Sequence, residues 1–407
     1  MKSKILRHKR EFALFILFVL FVPANSFSQD FKTVHDGIEY AEVTRKIGDD
    51  PVKINLLRLD LKTVRLDAHH ALDAAIGTEK TSSIAARHGA VAAINAGFFR
   101  LDSSAFAGDP TGTLIIDGEL LSESSNNRIA LKILNQKKVS AVSIEHSVIN
   151  AWFGFGALHF QVKLSGINRE RKENEFLLYG PRFGKTTLTS EKGTDIILTE
   201  CQRVSKHKFF SIHCKDAEVL NDVANTTIPV DGYVISLGSG DLKEKKLLLY
   251  DLNLYRAEKA KNKNFNLKFE NASSHISKAD EDVVAGVPQL IKNGKIDITW
   301  EQEKSSRAFV ETRHPRTAVA KLKDGKFLMI TVDGRQPGVS VGMNLNELAE
   351  YLLELGAVDA MNFDGGGSAT MFLDGKVVNQ PSDKEGERKV SDAILVTLRK
   401  KPVSTKR

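Results

Sequence analysis

The chain is 407 residues long, 42% hydrophobic and 27% charged, with a formal charge of +7. That length suits one large domain or two ordinary ones, and the composition excludes a mostly disordered or collagenous protein. The positive charge points at first to nucleic acid, but much of it sits in one N-terminal segment.

In that segment Lys2, Lys4, Arg7, Lys9 and Arg10 form a basic head, residues 12–22 are an unbroken apolar run, and Pro23 leads to the small residues Ala24, Ser26 and Ser28. Head, short core and small-residue exit are the plan of a secretory signal peptide, and the run is shorter than the roughly 20 residues of a spanning helix. Residues 1–28 are read as a signal peptide, which makes the mature protein exported, periplasmic or secreted, with no stable membrane anchor after cleavage. Losing five basic residues and Glu11 lowers the formal charge from +7 to +3, and a nucleic-acid partner is no longer expected. Cys201 and Cys214 are the two cysteines. In an oxidising compartment a disulfide closing this short loop is expected, two free thiols being the alternative. Their spacing is no metal motif, and neighbouring His207 and His213 supply no second ligand pair with zinc spacing.

Strands are predicted at 52–59 and 64–68, then a weaker helix over 81–88 that stops at Gly89. Ala92-Ala93-Ile94 reads as a buried strand running into Asn95-Ala96-Gly97-Phe98-Phe99, either aiming Asn95 into a cleft or turning a hairpin over a phenylalanine pair. Four Asp-Gly or Asn-Gly pairs, Asp117-Gly118, Asn293-Gly294, Asp324-Gly325 and Asp374-Gly375, each separate two apolar runs. Such pairs tolerate the positive φ of two-residue hairpin turns. Asn344 with Glu347 three residues on predicts a capping box, Leu345, Leu348, Ala349, Leu352 and Leu353 follow the helical period, and Gly356 stops the helix. The fold class is therefore α+β, mainly antiparallel sheet built from hairpins with a few packed helices. Residues 29–398 read as a single domain. The 140–280 stretch, with charge-rich 169–175, Lys/Asn-rich 259–264 and strands at 196–198 and 234–237, is a divergent elaboration or small inserted lobe. Residues 399–407 form a basic, frayed tail.

The chemistry concentrates in three places. Asn362-Phe363-Asp364-Gly365-Gly366-Gly367-Ser368 places three glycines in a row, each of which loses more backbone freedom on folding than any other residue. That cost makes sense where a ligand approaches the backbone and N–H groups converge on an anion. Asn362 and Asp364 alternate with Met361 and Phe363, so they share a face if the strand continues. Arg313-His314-Pro315-Arg316-Thr317 sets two arginines before a strand, and the planar fork of Arg suits phosphate. Val332-Asp333-Gly334-Arg335 ends the next strand with a carboxylate.

Asn95-Ala-Gly-Phe-Phe, Arg316-Thr-Ala, Asp333-Gly, the Gly342-Met-Asn-Leu-Asn-Glu-Leu-Ala helix entry and Asn362-Phe-Asp-Gly-Gly-Gly-Ser-Ala-Thr occur in the order of the phosphodiester glycosidase family, and Pro381-Ser382-Asp383 resembles its closing motif. The resemblance covers about residues 85–398 and is strongest over 313–392; the 140–280 stretch has no matching motif. The cysteine-rich tail modules of the family's animal enzyme have no counterpart here, so removal of lysosomal tags is not implied.

The resemblance implies hydrolysis of a sugar joined through its anomeric carbon to phosphate, on a cell-surface or extracellular glycan. Such a reaction needs a carboxylate as base or nucleophile, stabilisation of an oxocarbenium-like centre, and cations or N–H donors for the departing phosphate. Asp364 and Asp333 are the catalytic candidates. Asn95, Arg316, Thr317, Asn362, Gly365, Gly366, Gly367, Ser368, Ser382 and Asp383 are the candidates for binding sugar or phosphate. No cofactor is required. Two other classes stay open. One is a phosphodiesterase cleaving P–O with Ca²⁺ or Mg²⁺ held by Asp333, Asn362 and Asp364, which a chelator would silence. The other is a non-catalytic polysaccharide-binding module, in which Asp364→Asn would leave binding intact.

Overall fold

The computed structural model describes residues 29–399 apart from 157–159, 207–208, 242, 258–262 and 272–280. The expected signal peptide and residues 400–407 of the expected tail lie outside the described residues. Arg399, the first residue of that tail, is anchored: its guanidinium donates to Val64 O, Gln136 O and Ser140 Oγ. No helix among the described residues is long and apolar enough to cross a membrane.

Strands far outweigh helices, so the fold is closer to mainly β than the expected α+β balance. Its centre is an eight-stranded sheet in the order Lys32–His35, Ile38–Ile47, Asp50–Leu59, Phe327–Val332, Arg316–Leu322, Ala357–Asn362, Gln289–Lys292, Lys295–Ile296. Every neighbouring pair in it is antiparallel.

Period-two alternation gives this sheet two buried faces. Ile54, Leu56, Ala318, Ala320, Leu328 and Ile330 face the helix Leu345–Glu354, which answers with Leu345, Leu348, Ala349 and Leu352. Leu57, Leu59, Val319, Met329, Met361 and Phe363 point the other way. They meet a second sheet, Lys376–Val377, Met371–Leu373, Ala92–Asn95, Asp392–Leu398, Val64–His70. The capping box forms as its spacing predicts, Asn344 Oδ1 accepting from Glu347 N and Glu347 Oε2 from Asn344 N, both at 2.9 Å. Gly356 follows the helix at φ +87°. Truncating Leu348 to Ala would cost about 2–5 kcal/mol, because the side chain is fully enclosed.

Three of the four hairpins close as expected, with both turn residues at positive φ: Asp117-Gly118, Asn293-Gly294 and Asp374-Gly375. At Asp324-Gly325 only the glycine has positive φ, and Leu322 N reaches Lys326 O, so the loop is longer than two residues.

The 140–280 stretch is organised by strands. Its two five-stranded sheets are centred on Phe265–Asn271 and Tyr233–Leu237, and the helix Lys243–Ala257, which sequence pattern did not reveal, carries Leu248 and Leu252 into their core. That core is continuous with Ile115, Ala130 and Val283 of a further sheet whose opposite face, Leu114, Ile116 and Leu131, belongs to the central core. A disulfide joins Cys201 to Cys214, tying the start of the Gln202–Lys206 strand to the end of Phe209–Cys214.

Candidate active site

The Asn362–Ser368 segment leaves the central sheet beside the second sheet. Phe363 N donates to Thr317 O and Asp364 N to Ala96 O, so the loop is stitched to both. Asn95 makes the junction: its Nδ2 donates to Asp364 O, and its Oδ1 accepts from Thr317 Oγ1 and Thr370 N. Both side-chain atoms are committed and the residue is fully buried, so Asn95 and Thr317 brace the loop rather than face a sugar or phosphate. The glycine two residues after Asn95 has a similar cause. A Cβ on Gly97 would lie 2.9 Å from Asp392 Oδ2, while Asp392 Oδ1 accepts the Gly97 N–H.

Each of the three glycines answers to a different neighbour. A Cβ on Gly365 would come 2.5 Å from Pro315 O. Gly366 sits at φ +60° beneath the Arg335 guanidinium, 2.9 Å from where its Cβ would be. Gly367 is overlain by the Asp383–Arg388 pair, whose carboxylate and guanidinium would both collide with a side chain. The amides do not all converge on one ligand, contrary to the expectation from sequence: Gly365 N donates to Asp364 Oδ1 and Gly366 N to Pro315 O.

Asp364 is half-buried at the start of this loop. Burial pushes its pKa up to about 6, against the Ser368 hydroxyl, the Arg388 charge and the Gly365 N–H, which favour the ionised form. Asp333, nearly fully buried, is placed differently. Its Oδ1 accepts from Asn379 Nδ2 and Gln380 N, each at 3.0 Å, and Asn379 also donates to Ala369 O. Asp333 thus braces the segment that returns over the glycine loop, and burial raises its pKa too. Asn362 spends its Nδ2 on Val287 O and Phe363 O.

Arg316 departs furthest from its expected role. Alternation turns it to the helix face of the central sheet, where only 1% of it is exposed. Its Nε donates to Met343 O, its Nη2 to Phe309 O and Thr312 O, and its guanidinium lies 4.9 Å from the Phe309 ring centre. It ties three carbonyls together beneath the site, and burial lowers its pKa to about 10. The cations at the glycine loop are instead Arg335 and Arg388, neither singled out from sequence. Arg335 is exposed and has no carboxylate partner among the described residues. Arg388 is held by Asp383 through Nε–Oδ2 at 2.8 Å and Nη2–Oδ1 at 3.0 Å. Arg335 directly follows the Asp333-Gly334 motif and was within reach of sequence reasoning; Arg388 carried no local signal.

Buried polar atoms without a hydrogen-bond partner gather on the same segments. Among the described residues His314 Nδ1, Gln336 Oε1, Asn362 Oδ1, Thr370 Oγ1 and Ser382 Oγ are of this kind, while others, such as Thr81 Oγ1 and Trp152 Nε1, lie elsewhere in the fold. A folded chain pairs nearly all such groups, so a concentration of them marks where a polar ligand or water completes the bonding. A cavity of about 390 Å³ in the 117–269 region, lined in part by Arg182 and Tyr233, shares no residue with this loop. The glycine loop is the stronger candidate because it combines a perturbed carboxylate, two cations and unpaired polar atoms.

Residues 207–397 match the model of the phosphodiester glycosidase family. Over 110 residues, a quarter of this chain, the sequence is 39% identical to the N-acetylglucosamine-1-phosphodiester alpha-N-acetylglucosaminidase of Bos taurus and 37% identical to that of Homo sapiens. The alignments span 20% and 21% of those proteins' own lengths. An uncharacterized prophage-derived protein of Bacillus subtilis is 36% identical over 122 residues, 30% of this chain and 18% of that protein. Among solved structures, a hypothetical protein from Synechocystis superposes with a TM-score of 0.69 at 21% identity, covering 89% of this chain and 62% of that one. A protein of Burkholderia pseudomallei, described as exported, superposes at 0.65 and 20% identity, covering 86% and 74%. These two likenesses concern the fold.

Proposed function

We propose, taking the match of residues 207–397 to the phosphodiester glycosidase family as the premise, that this protein is an exported glycosidase that hydrolyses the bond between a sugar's anomeric carbon and a phosphodiester oxygen. Its substrate is a cell-surface or extracellular glycan. The observation that carries the reading is the placement of Arg335 over Gly366 and Arg388 over Gly367, beside Asp364.

The chemistry follows from these groups. In the substrate the phosphate lies against the glycine loop, within reach of the two guanidiniums. As C1–O breaks, the bonding pair leaves with the phosphate oxygen, and the departing monoester gains charge. Arg335 and Arg388 stabilise that charge more in the transition state than in the ground state, which is what lowers the barrier. The Thr370 and Ser382 hydroxyls supply further donors. Because phosphate is a good leaving group, no strong general acid is needed. Asp364 meets the developing positive charge at C1, as base toward water or as nucleophile. A pKa near 6 leaves it mostly ionised at neutral pH yet basic enough to take a proton. Asp333, Asn95 and Arg316 hold the loop in place.

The test is hydrolysis of a GlcNAc-1-phosphodiester by the purified mature protein. Free sugar and a phosphate monoester are the expected products, in the presence of chelator as in its absence. Release of intact sugar 1-phosphate, or of nothing from any sugar-1-phosphodiester, would refute the reading.

A further inference from the structure

Away from the glycine loop, His69, Asp73 and His88 bring three ligand atoms within 4.8 Å of one another. His69 is the penultimate residue of the Val64–His70 strand, and His88 immediately follows the helix Thr81–Arg87. Asp73 reaches them because Leu72 and Asp73 both adopt positive φ, at 60° and 54°, folding the chain back under the strand end.

We infer that His69, Asp73 and His88 form a binding site for a divalent transition-metal ion of the Zn²⁺ class. His88 Nε2 lies 3.0 Å and His69 Nδ1 3.9 Å from the same oxygen, Asp73 Oδ1. A tetrahedral ion with ligands at about 2.0–2.1 Å keeps neighbouring ligand atoms about 3.3–3.4 Å apart, and the two observed separations bracket that value. The donor set, two imidazoles and one carboxylate, suits zinc and its neighbours in the first transition row rather than Ca²⁺ or Mg²⁺, which take oxygen ligands. Both imidazoles are only partly exposed, at 23% each; their rings stack with centres 3.7 Å apart, so binding one ion requires a ring rotation that brings both in-plane lone pairs to it.

A cationic group already visits this position. Arg87 Nη1 contacts Asp73 Oδ2 and lies 3.0 Å from His88 Nε2. Its other nitrogens reach Glu79, Nη2 to Oε2 at 2.9 Å and Nε to Oε1 at 3.4 Å. Glu79 therefore gives the guanidinium a second seat when an ion takes its place. The turn so closed leads into Glu79–Lys80, which pairs with Lys389–Val390 directly after Arg388. A bound ion would clamp this turn, outside the glycine loop, and is not a participant in hydrolysis.

The experiment is calorimetric titration of the tag-free, metal-stripped mature protein with Zn²⁺, followed by melting temperature with and without the ion. One ion per chain and a raised melting temperature are expected. His69→Ala and His88→Ala should each weaken binding about tenfold or more, since even loss of an outer-shell partner commonly costs about 10–100-fold. Arg87→Gln should tighten binding, because it removes the competing cation. Binding unchanged in the His69→Ala/His88→Ala double variant, or no stoichiometric Zn²⁺ uptake by the unaltered protein, would overturn the assignment. The metal-free melts of the variants report whether each is folded, and none of these residues belongs to the proposed hydrolytic site.

Discussion

Gly366 lies directly beneath the guanidinium of Arg335: a methyl group on its Cα would stand 2.9 Å from Arg335 Nη2 and 3.2 Å from Nη1. Absence of a side chain at one position thus sets the place of a cation 31 residues away in sequence, and the glycine's positive φ fixes the loop that carries it. Gly366→Ala is expected to displace Arg335 and to cost about 1 kcal/mol or more in stability through strain at φ +60°. Hydrolysis should fall well beyond what the lost stability explains. Paired melting and turnover measurements check this, and near-normal turnover would remove Arg335 from the phosphate site.

Arg316→Lys tests the inward arginine. Lysine keeps the charge but cannot present Nε and Nη2 to Met343 O, Phe309 O and Thr312 O together. Lost charge-assisted hydrogen bonds of this kind are worth about 1.5–3 kcal/mol each. The expected outcome in urea unfolding is a loss of about 2–4 kcal/mol, with activity declining alongside. A variant of unaltered stability and abolished turnover would instead put Arg316 on the substrate.

These two residues mark how far the sequence could be read. The Asn344–Glu347 capping box, the Gly356 stop and three primed hairpins were legible because each depends on residues a few positions apart. The glycine loop was legible because three successive glycines have no local use. What each glycine makes room for was not, since Arg335 and Arg388 arrive from other segments. Arg316 resembled a phosphate ligand by composition, but the alternation of its strand turns it into the core, where backbone carbonyls substitute for phosphate oxygens. The same applies to Asn95, whose position at a strand end suggested a cleft and whose bonds make a strut. The helix Lys243–Ala257 leaves Leu247, Tyr250 and Leu254 exposed, which blurs the apolar stripe that would have revealed it.

The Arg388–Asp364 interaction predicts a pH effect. Arg388 lowers the Asp364 pKa against the larger upward push of burial. If the ionised carboxylate is the working form, activity should rise with pH through an apparent pKa near 6. Arg388→Met should shift that limb to higher pH while reducing the maximum rate. The pH–rate profiles of the two proteins decide it; a limb that stays in place would mean the titrating group is not Asp364.

Asp364→Asn should separate stability from function. A carboxyl whose pKa is raised by folding, here from 3.8 to about 6, favours the fold when protonated. Its contribution is complete below about pH 4 and is lost as pH rises through 6. At pH 7 the ionised carboxylate is therefore a net cost, of about 1–3 kcal/mol from a shift of this size. The asparagine variant should melt higher than the unaltered protein at pH 7, with the gain shrinking toward pH 4, while turnover falls by orders of magnitude. Turnover close to normal would contradict the catalytic assignment.

The most direct measurement is hydrolysis of a GlcNAc-1-phosphodiester in oxygen-18 water, with the label located by mass spectrometry of both products. Cleavage between the anomeric carbon and oxygen, with Arg335 and Arg388 holding the departing phosphate, puts the heavy oxygen on the sugar and none on the phosphate monoester. Label in the phosphate would mean attack at phosphorus and would contradict the account.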